Sequence, residues 1–342
     1  MEREAAPVVD LSSLGSTSCG VWTRRQAVAL TGAEGVRAQL REGAWQVLWP
    51  GTYADAGFGL SAEQWCWAAV LASGGDGQPF RSGSPDPVTG REPLRLRAVA
   101  SGRTAARYWK LPLIDGDDPA TGAREHRLDD VSVALHLPVL RSGDRRLHRR
   151  RHRLGRADLA RTSSGVVVMS VLRTLADLTG LLTMQAAVCA IDDALHRRLV
   201  TAEQLTAAVT AQAGRPGSAR LSEAVALSDG RAESAHETLT RLLLLPALPG
   251  LEPQVRLRDS RGDVIARFDL GDPERRLAVE SDGRAGHAGS AMVAKDRRRD
   301  ARTEKHGWWT ERVTWFEVRR LPDQTKARVL RRAALLDARW AA

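Results

Sequence analysis

The stretch RFDLGDPERRLAVESDGRAGH, residues 267 to 287, decides how the last third of the chain is read. Two strand-like apolar runs flank a turn rich in Gly, Asp and Pro, and the acids Asp269, Glu280 and Asp282 lie beside those runs. Side chains two apart on a strand project from one face, so Glu280 and Asp282 share a face. Asp269 ends the preceding strand, eleven positions before Glu280. A five-residue GDPER loop would set Asp269 opposite Leu277, with Glu280 three residues down its strand. Shared use of the two acids would then need strong twist or a bulge. Clustered carboxylates repel one another when partly desolvated unless a cation neutralises them. Hard oxygen ligands of this kind suit Mg²⁺ or Mn²⁺. The alternative for these acids is plain surface charge at solvated strand ends.

Outward from this stretch, residues 226–342 run helix, three strands, helix, strand, helix, an α/β order on a mixed sheet. SDGRAESAHETLTRLLLL is expected as the opening helix, capped by Ser228 or Asp229, with Glu233 and Glu237 on one face. VRLRD, VIARFDL and RLAVES are the strands. A basic helix, MVAKDRRRDARTEKHG, precedes the strand WWTERVTW, and a last helix runs from about Pro322 to Trp340.

The order E…D-x₁₀-E-x-D-G…H, with the D-R-x-R-D helix and G-W…R-V-T-W strand after it, resembles the Vsr-like endonuclease domains. These belong to the PD-(D/E)XK restriction-endonuclease-like superfamily. The resemblance implies a restriction-endonuclease-like domain over 226–342 and Mg²⁺- or Mn²⁺-dependent hydrolysis of DNA phosphodiesters. It matches Asp269 and Glu280 to metal-binding acids and Glu237 to the glutamate of the opening helix, with Glu233 a second candidate. Asp282 stands where many relatives carry lysine, and His287 matches a histidine that could act as general base or hold the attacking water. Close relatives begin S-P-x-E where this chain has S-A-H-E, Ser281 replaces an apolar residue, and Gly286 a bulky one. These departures keep a second function open: a non-catalytic DNA-binding regulator or antitoxin-like protein that retains the nuclease scaffold. Lys295 and Arg312 are candidates for the positive charge that a phosphate in reaction requires. Lys295, Arg297, Arg298 and Arg312 are also candidate DNA contacts, as are Arg149 and Arg151 in the run RSGDRRLHRRRHRL.

The first sixty residues read as a winged helix-turn-helix. TRRQAVAL carries a threonine at a helix N-cap, TGAEG is a turn, VRAQLREG ends at Gly43, and AWQVLWPGTYA is a hairpin about Pro-Gly. The pattern T-R-x-Q-A…G-x-W…P-G-x-Y, Thr23 to Tyr53, resembles the AbiEi-type antitoxin module. Its charges nearly cancel, so docking of a protein partner is as natural an expectation as DNA reading. Residues 61–225 are expected as an α+β middle region: an amphipathic helix SAEQWCWAAVLASGG, a Gly/Pro-rich insertion, a strand DDVSVALHLPVL, the arginine run, and two or three helices from SVLRTLADL onward.

The chain of 342 residues carries a formal net charge of +10, which favours an anionic partner, DNA first. Only four of its 51 basic residues are lysines, a bias that a GC-rich genome also writes. No apolar run is long enough to cross a membrane, and MEREAAPVVDLSS lacks a signal-peptide core, so a cytoplasmic protein is expected. Cys19, Cys66 and Cys189 form neither a C-x-x-C pair nor a disulfide framework and are expected as buried thiols. The pattern says nothing of oligomeric state.

Overall fold

A computed structural model describes residues 18–57, 59–74, 98–114, 131–135, 147–151, 154–282 and 299–341. Among the described residues the architecture is mixed α/β, with three small sheets. The chain divides into two compact units, Met1–Leu181 and Leu182–Ala342. Among the described residues no helix is long and apolar enough to cross a membrane. The Gly/Pro-rich insertion expected after residue 75 lies outside the described residues.

In the first unit, strands β1 (Val21–Thr23), β2 (Trp45–Trp49) and β3 (Thr52–Asp55) form a sheet of order β1-β3-β2. Helix α1 (Arg24–Arg41) starts at Thr23, whose hydroxyl accepts from the Gln26 N–H while the Gln26 side chain returns to the Thr23 N–H. That reciprocal box satisfies two of the donors a helix start leaves open. The helix breaks into two segments at Gly32, whose φ of 71° is a left-handed conformation that glycine adopts without a Cβ penalty. The expected pair of short helices is therefore present, broken at Gly32 within the TGAEG turn, and β1 is an added third strand.

The sheet buries both faces, by two-residue alternation along β1 and β3 and by a register shift between Val47 and Trp49 in β2. Trp22, Trp45 and Tyr53 pack with Ala27 and Val36 of α1 on one side. Val21, Leu48, Trp49 and Ala54 join a larger core on the other. That core continues through helix α2 (Ala62–Ala72), where six consecutive residues, Cys66 to Leu71, are buried. Its sequence thus marks a central helix rather than an amphipathic one, and the first sheet shares its core with α2. A second sheet is built from β4 (Ala98–Ser101), β5 (Val131–Leu135), β6 (Leu147–Arg151), β7 (Leu159–Arg161) and β8 (Val167–Met169). Its order is β6-β5-β4-β8-β7, and β4 and β8 lie in the same core. Strands β5 and β6 pair in parallel, so residues 147–151 of the arginine run are a strand, which carries Arg149 and Arg151. Helices α3 (Gly102–Tyr108) and α4 (Val171–Thr179) also belong to the unit.

In the second unit, helices α5 (Met184–His196), α6 (Ala202–Ala211) and α7 (Ser218–Ala226) precede α8 (Ala235–Leu244). The segment 182–225, expected in the middle region, packs with the C-terminal elements. Its link is a buried ion pair: the Arg241 guanidinium on α8 donates to Asp192 on α5 at 2.9 Å, with side chains 5% and 1% exposed. Asp192 also accepts from the Asp229 N–H at 2.7 Å and the Thr238 hydroxyl at 2.8 Å. Helix α8 is capped by Ser234, not by Ser228 or Asp229. The Ser234 hydroxyl accepts from the Glu237 N–H at 3.2 Å, and Asp229 instead turns its carboxylate to the Arg231 N–H at 3.0 Å.

The third sheet contains β9 (Glu252–Arg258), β10 (Val264–Asp272), β11 (Leu277–Asp282) and β12 (Trp309–Thr314), in the order β12-β11-β10-β9. The first three strands are antiparallel, and β12 lies parallel to β11, giving the expected mixed sheet. Phe268 stacks on Trp308 at 4.7 Å between ring centroids, within a cluster that includes Ala266 and Ala278. Residues 299–304 are helical (α9), and α10 (Trp315–Arg320) and α11 (Pro322–Ala341) end the chain.

Candidate functional site

The register of β10 and β11 corrects the expected loop. Leu270 pairs with Val279, Gly271 with Ala278 and Asp272 with Leu277, so the turn contains four residues, 273 to 276. Asp272 is a buried strand end, not part of a loop. Its carboxylate accepts from the Arg275 N–H at 3.1 Å and from the Arg275 guanidinium at 2.7 Å, closing the turn. Continued by one residue, this register sets Asp269 opposite Glu280, with no bulge needed.

The ladder stops at Leu270 and Val279, and the Asp269 carboxylate then takes over as acceptor, receiving the Ser281 N–H at 2.8 Å. On the other edge, Phe268 pairs with Val255 and Leu270 with Pro253, so Gln254 lies beside Asp269. Glu280 in turn pairs with Arg312 on β12. A polar row, Gln254–Asp269–Glu280–Arg312, therefore crosses all four strands. Gln254 has a φ of 58°, a strained conformation for a residue with a Cβ, and such strain concentrates at functional sites.

Helix α8 brings its first turn to this row. Glu237 accepts from the Gln254 amide, the Glu233 N–H and the Ser234 hydroxyl, each at 2.9 Å. Burial raises the Glu237 carboxyl above its ordinary range, and the Asp269 charge adds to this against the Glu233 hydrogen bond. Glu233, the second candidate, instead clasps the Arg267 guanidinium at 2.6 and 2.9 Å. Next to Glu237, the His236 ring is buried edge-on against Trp315, and its Nε2 has no hydrogen-bond partner among the described residues. Burial holds its pKa down, opposed by a hydrogen bond at Thr314 and by the charges of Asp269 and Asp282.

Burial also raises Asp269, against the Ser281 N–H and the charges of Arg299 and Arg267. Burial, then the Asp269 charge, pushes the Glu280 carboxyl up to about 7. Arg299 opposes this shift: its guanidinium donates to the two Glu280 oxygens at 2.7 and 3.3 Å. Arg312 is held by Asp300 at 2.6 and 3.0 Å, so it faces a carboxylate as well as the row. Asp282 ends β11 opposite Thr314.

Of the residues expected from the sequence, Asp269, Glu280, Glu237 and Arg312 thus come together on and above one row, with Asp282 two residues along. His287, Lys295, Arg297 and Arg298 lie outside the described residues, as do the side chains of Arg149 and Arg151. Sequence reasoning missed Arg299, Arg267, Gln254 and His236. Arg299 stands within the D-R-x-R-D run, and only its partner shows which arginine of that run turns to the acids. Among the described residues no group of three or more His, Cys, Asp and Glu side chains is placed to hold a metal ion. Of the three cysteines, Cys66 and Cys189 are buried free thiols as expected, while Cys19 is half-buried.

The Glu280 shift has a consequence for stability. The unfolded chain titrates this group near 4.5, so the native state binds its proton more tightly. Its contribution is therefore fully present below pH 4.5 and is lost as pH rises through 7. Glu280→Gln removes that loss. Between acid and mildly alkaline pH the variant should gain up to roughly 3 kcal/mol on the parent chain, as read from paired urea melts. Two pH profiles that run parallel would contradict the assignment.

No protein-family model matches the chain. It is 32% identical over 169 residues to uncharacterized proteins from two strains of Mycobacterium tuberculosis, an alignment covering 49% of this chain. The chain spans 62% of the length of these curated relatives.

Proposed function

We propose that the chain is a metal-dependent DNA endonuclease of the Vsr-like, PD-(D/E)XK type, working from the β10–β11 pair. The observation that carries this reading is the β10–β11 register, which continued by one residue sets Asp269 beside Glu280, two half-buried carboxylates whose charges oppose each other. Two such acids fit a hard divalent ion in kind, because Mg²⁺ commonly takes one or two carboxylates and completes its shell with water and substrate phosphate. When bound, the ion would supply a water of lowered pKa and offset charge on the phosphate under attack.

The chain's own residues have separate parts in this scheme. Asp269 and Glu280 hold the cation, and the Ser281 N–H fixes the Asp269 carboxylate in place. Glu237, braced by Gln254 and Ser234, supports the row from the helix side. Asp282 accepts or orients a proton at the strand end, and His287 is a second candidate for that task on the sequence alone. The kinked helix pair and hairpin of the first sixty residues support an AbiEi-like winged helix that docks DNA or a protein partner.

The test is nicking of supercoiled plasmid by the purified chain. Conversion to open circles with Mg²⁺ or Mn²⁺, abolished by EDTA, is expected. No conversion on any DNA substrate would sink the enzyme reading. One observation favours the second reading, a DNA-binding regulator on a nuclease scaffold: Arg299 already neutralises Glu280. That reading predicts salt-sensitive DNA binding that EDTA leaves unchanged.

A further inference from the structure

Arg299 reaches the candidate site from the surface. Its side chain is 36% exposed, while that of Glu280 is 12% exposed. The guanidinium lies on both Glu280 oxygens and donates to the backbone carbonyl of Arg267 as well. The neighbouring Arg267 side chain is committed to Glu233, and Arg312, opposite Glu280 on the row, is held by Asp300; Arg299 is the cation whose guanidinium hydrogen-bonds the Glu280 carboxylate. A guanidinium there and a divalent ion on the same carboxylate exclude each other, since like charges repel strongly in a partly desolvated site. A planar fork that fits a carboxylate fits a phosphate equally well.

We infer that Arg299 is a displaceable counter-cation: it holds Glu280 while the site is without a divalent ion, and once displaced it binds a backbone phosphate. The inference rests on the cation-site reading above. It makes cation and DNA binding cooperative, because each ligand takes one end of a contact that otherwise closes on itself. By linkage, Mn²⁺ tightens DNA binding by the same factor as DNA tightens Mn²⁺ binding.

Calorimetric titration of Mn²⁺ into the full chain, Arg299→Ala and Arg299→Gln tests it, together with anisotropy of a labelled DNA duplex with and without Mn²⁺. Both variants should bind Mn²⁺ more tightly than the parent, by roughly tenfold, and lose most of the Mn²⁺ enhancement of duplex affinity. Thermal melts of the two variants, expected near the parent's, confirm that the loss is not unfolding. Equal or weaker Mn²⁺ binding by both variants, or an enhancement that survives in them, overturns the role of Arg299 while leaving the cation site standing. No Mn²⁺ binding by any of the three proteins overturns both.

Discussion

Asp269→Asn is expected to abolish divalent-ion-dependent nicking of plasmid DNA, a loss of at least about 10³-fold, or some 4 kcal/mol of barrier. The substitution is chosen for what it keeps. An asparagine side-chain oxygen can still accept the Ser281 N–H that the aspartate takes at 2.8 Å, so the end of the β10–β11 ladder should hold. What disappears is one negative charge beside Glu280. Without it the Glu280 carboxyl keeps the rise that burial gives it and loses the part that the Asp269 charge adds. The site then offers one carboxylate where two stood. Nicking by Asp269→Asn at the parent's rate would show that the pair is not where the chemistry occurs.

Asp192→Ala should destabilise the second unit by about 3–5 kcal/mol, seen as a lower urea midpoint. Asp192 is 1% exposed and receives three donors, from Arg241, Thr238 and the Asp229 backbone. Removing it strands the Arg241 guanidinium in the interior, and an uncompensated buried charge costs far more than the pair contributes. The effect reaches the site through structure alone, since Arg241 lies four residues along α8 from Glu237. A double replacement, Asp192→Leu with Arg241→Met, should recover most of the loss because both charges then leave together. A midpoint unmoved by Asp192→Ala would mean that water reaches Arg241.

Much of the fold could be read from local chemistry. Thr23 with Gln26 announces a helix start, Pro50–Gly51 a hairpin, and the acids fall on strands as their apolar neighbours suggest. The sheet in the second unit is mixed, as its order of elements implied. What escaped the sequence is long-range. Asp272 looks like a loop residue until Arg275 is seen to close the turn behind it, and that one difference moves Asp269 from Leu277 to Glu280. Arg299 is one arginine among several in a basic run. Asp192 and Arg241 are 49 residues apart, and nothing local joins them. His236 reads as an ordinary helix residue, and its burial depends on Trp315 from a different element. Residues 18–55 give the pattern of a separate module, yet one face of their sheet belongs to the core that α2 and β8 complete.

On this reading the facing carboxylates of β10 and β11 hold a divalent cation. Calorimetric titration of Mn²⁺ into the parent chain and into Glu280→Gln tests it most directly. One ion bound per parent chain, and none at the same concentrations by Glu280→Gln, is the predicted result. The same binding by both proteins, or no binding by the parent, would contradict it.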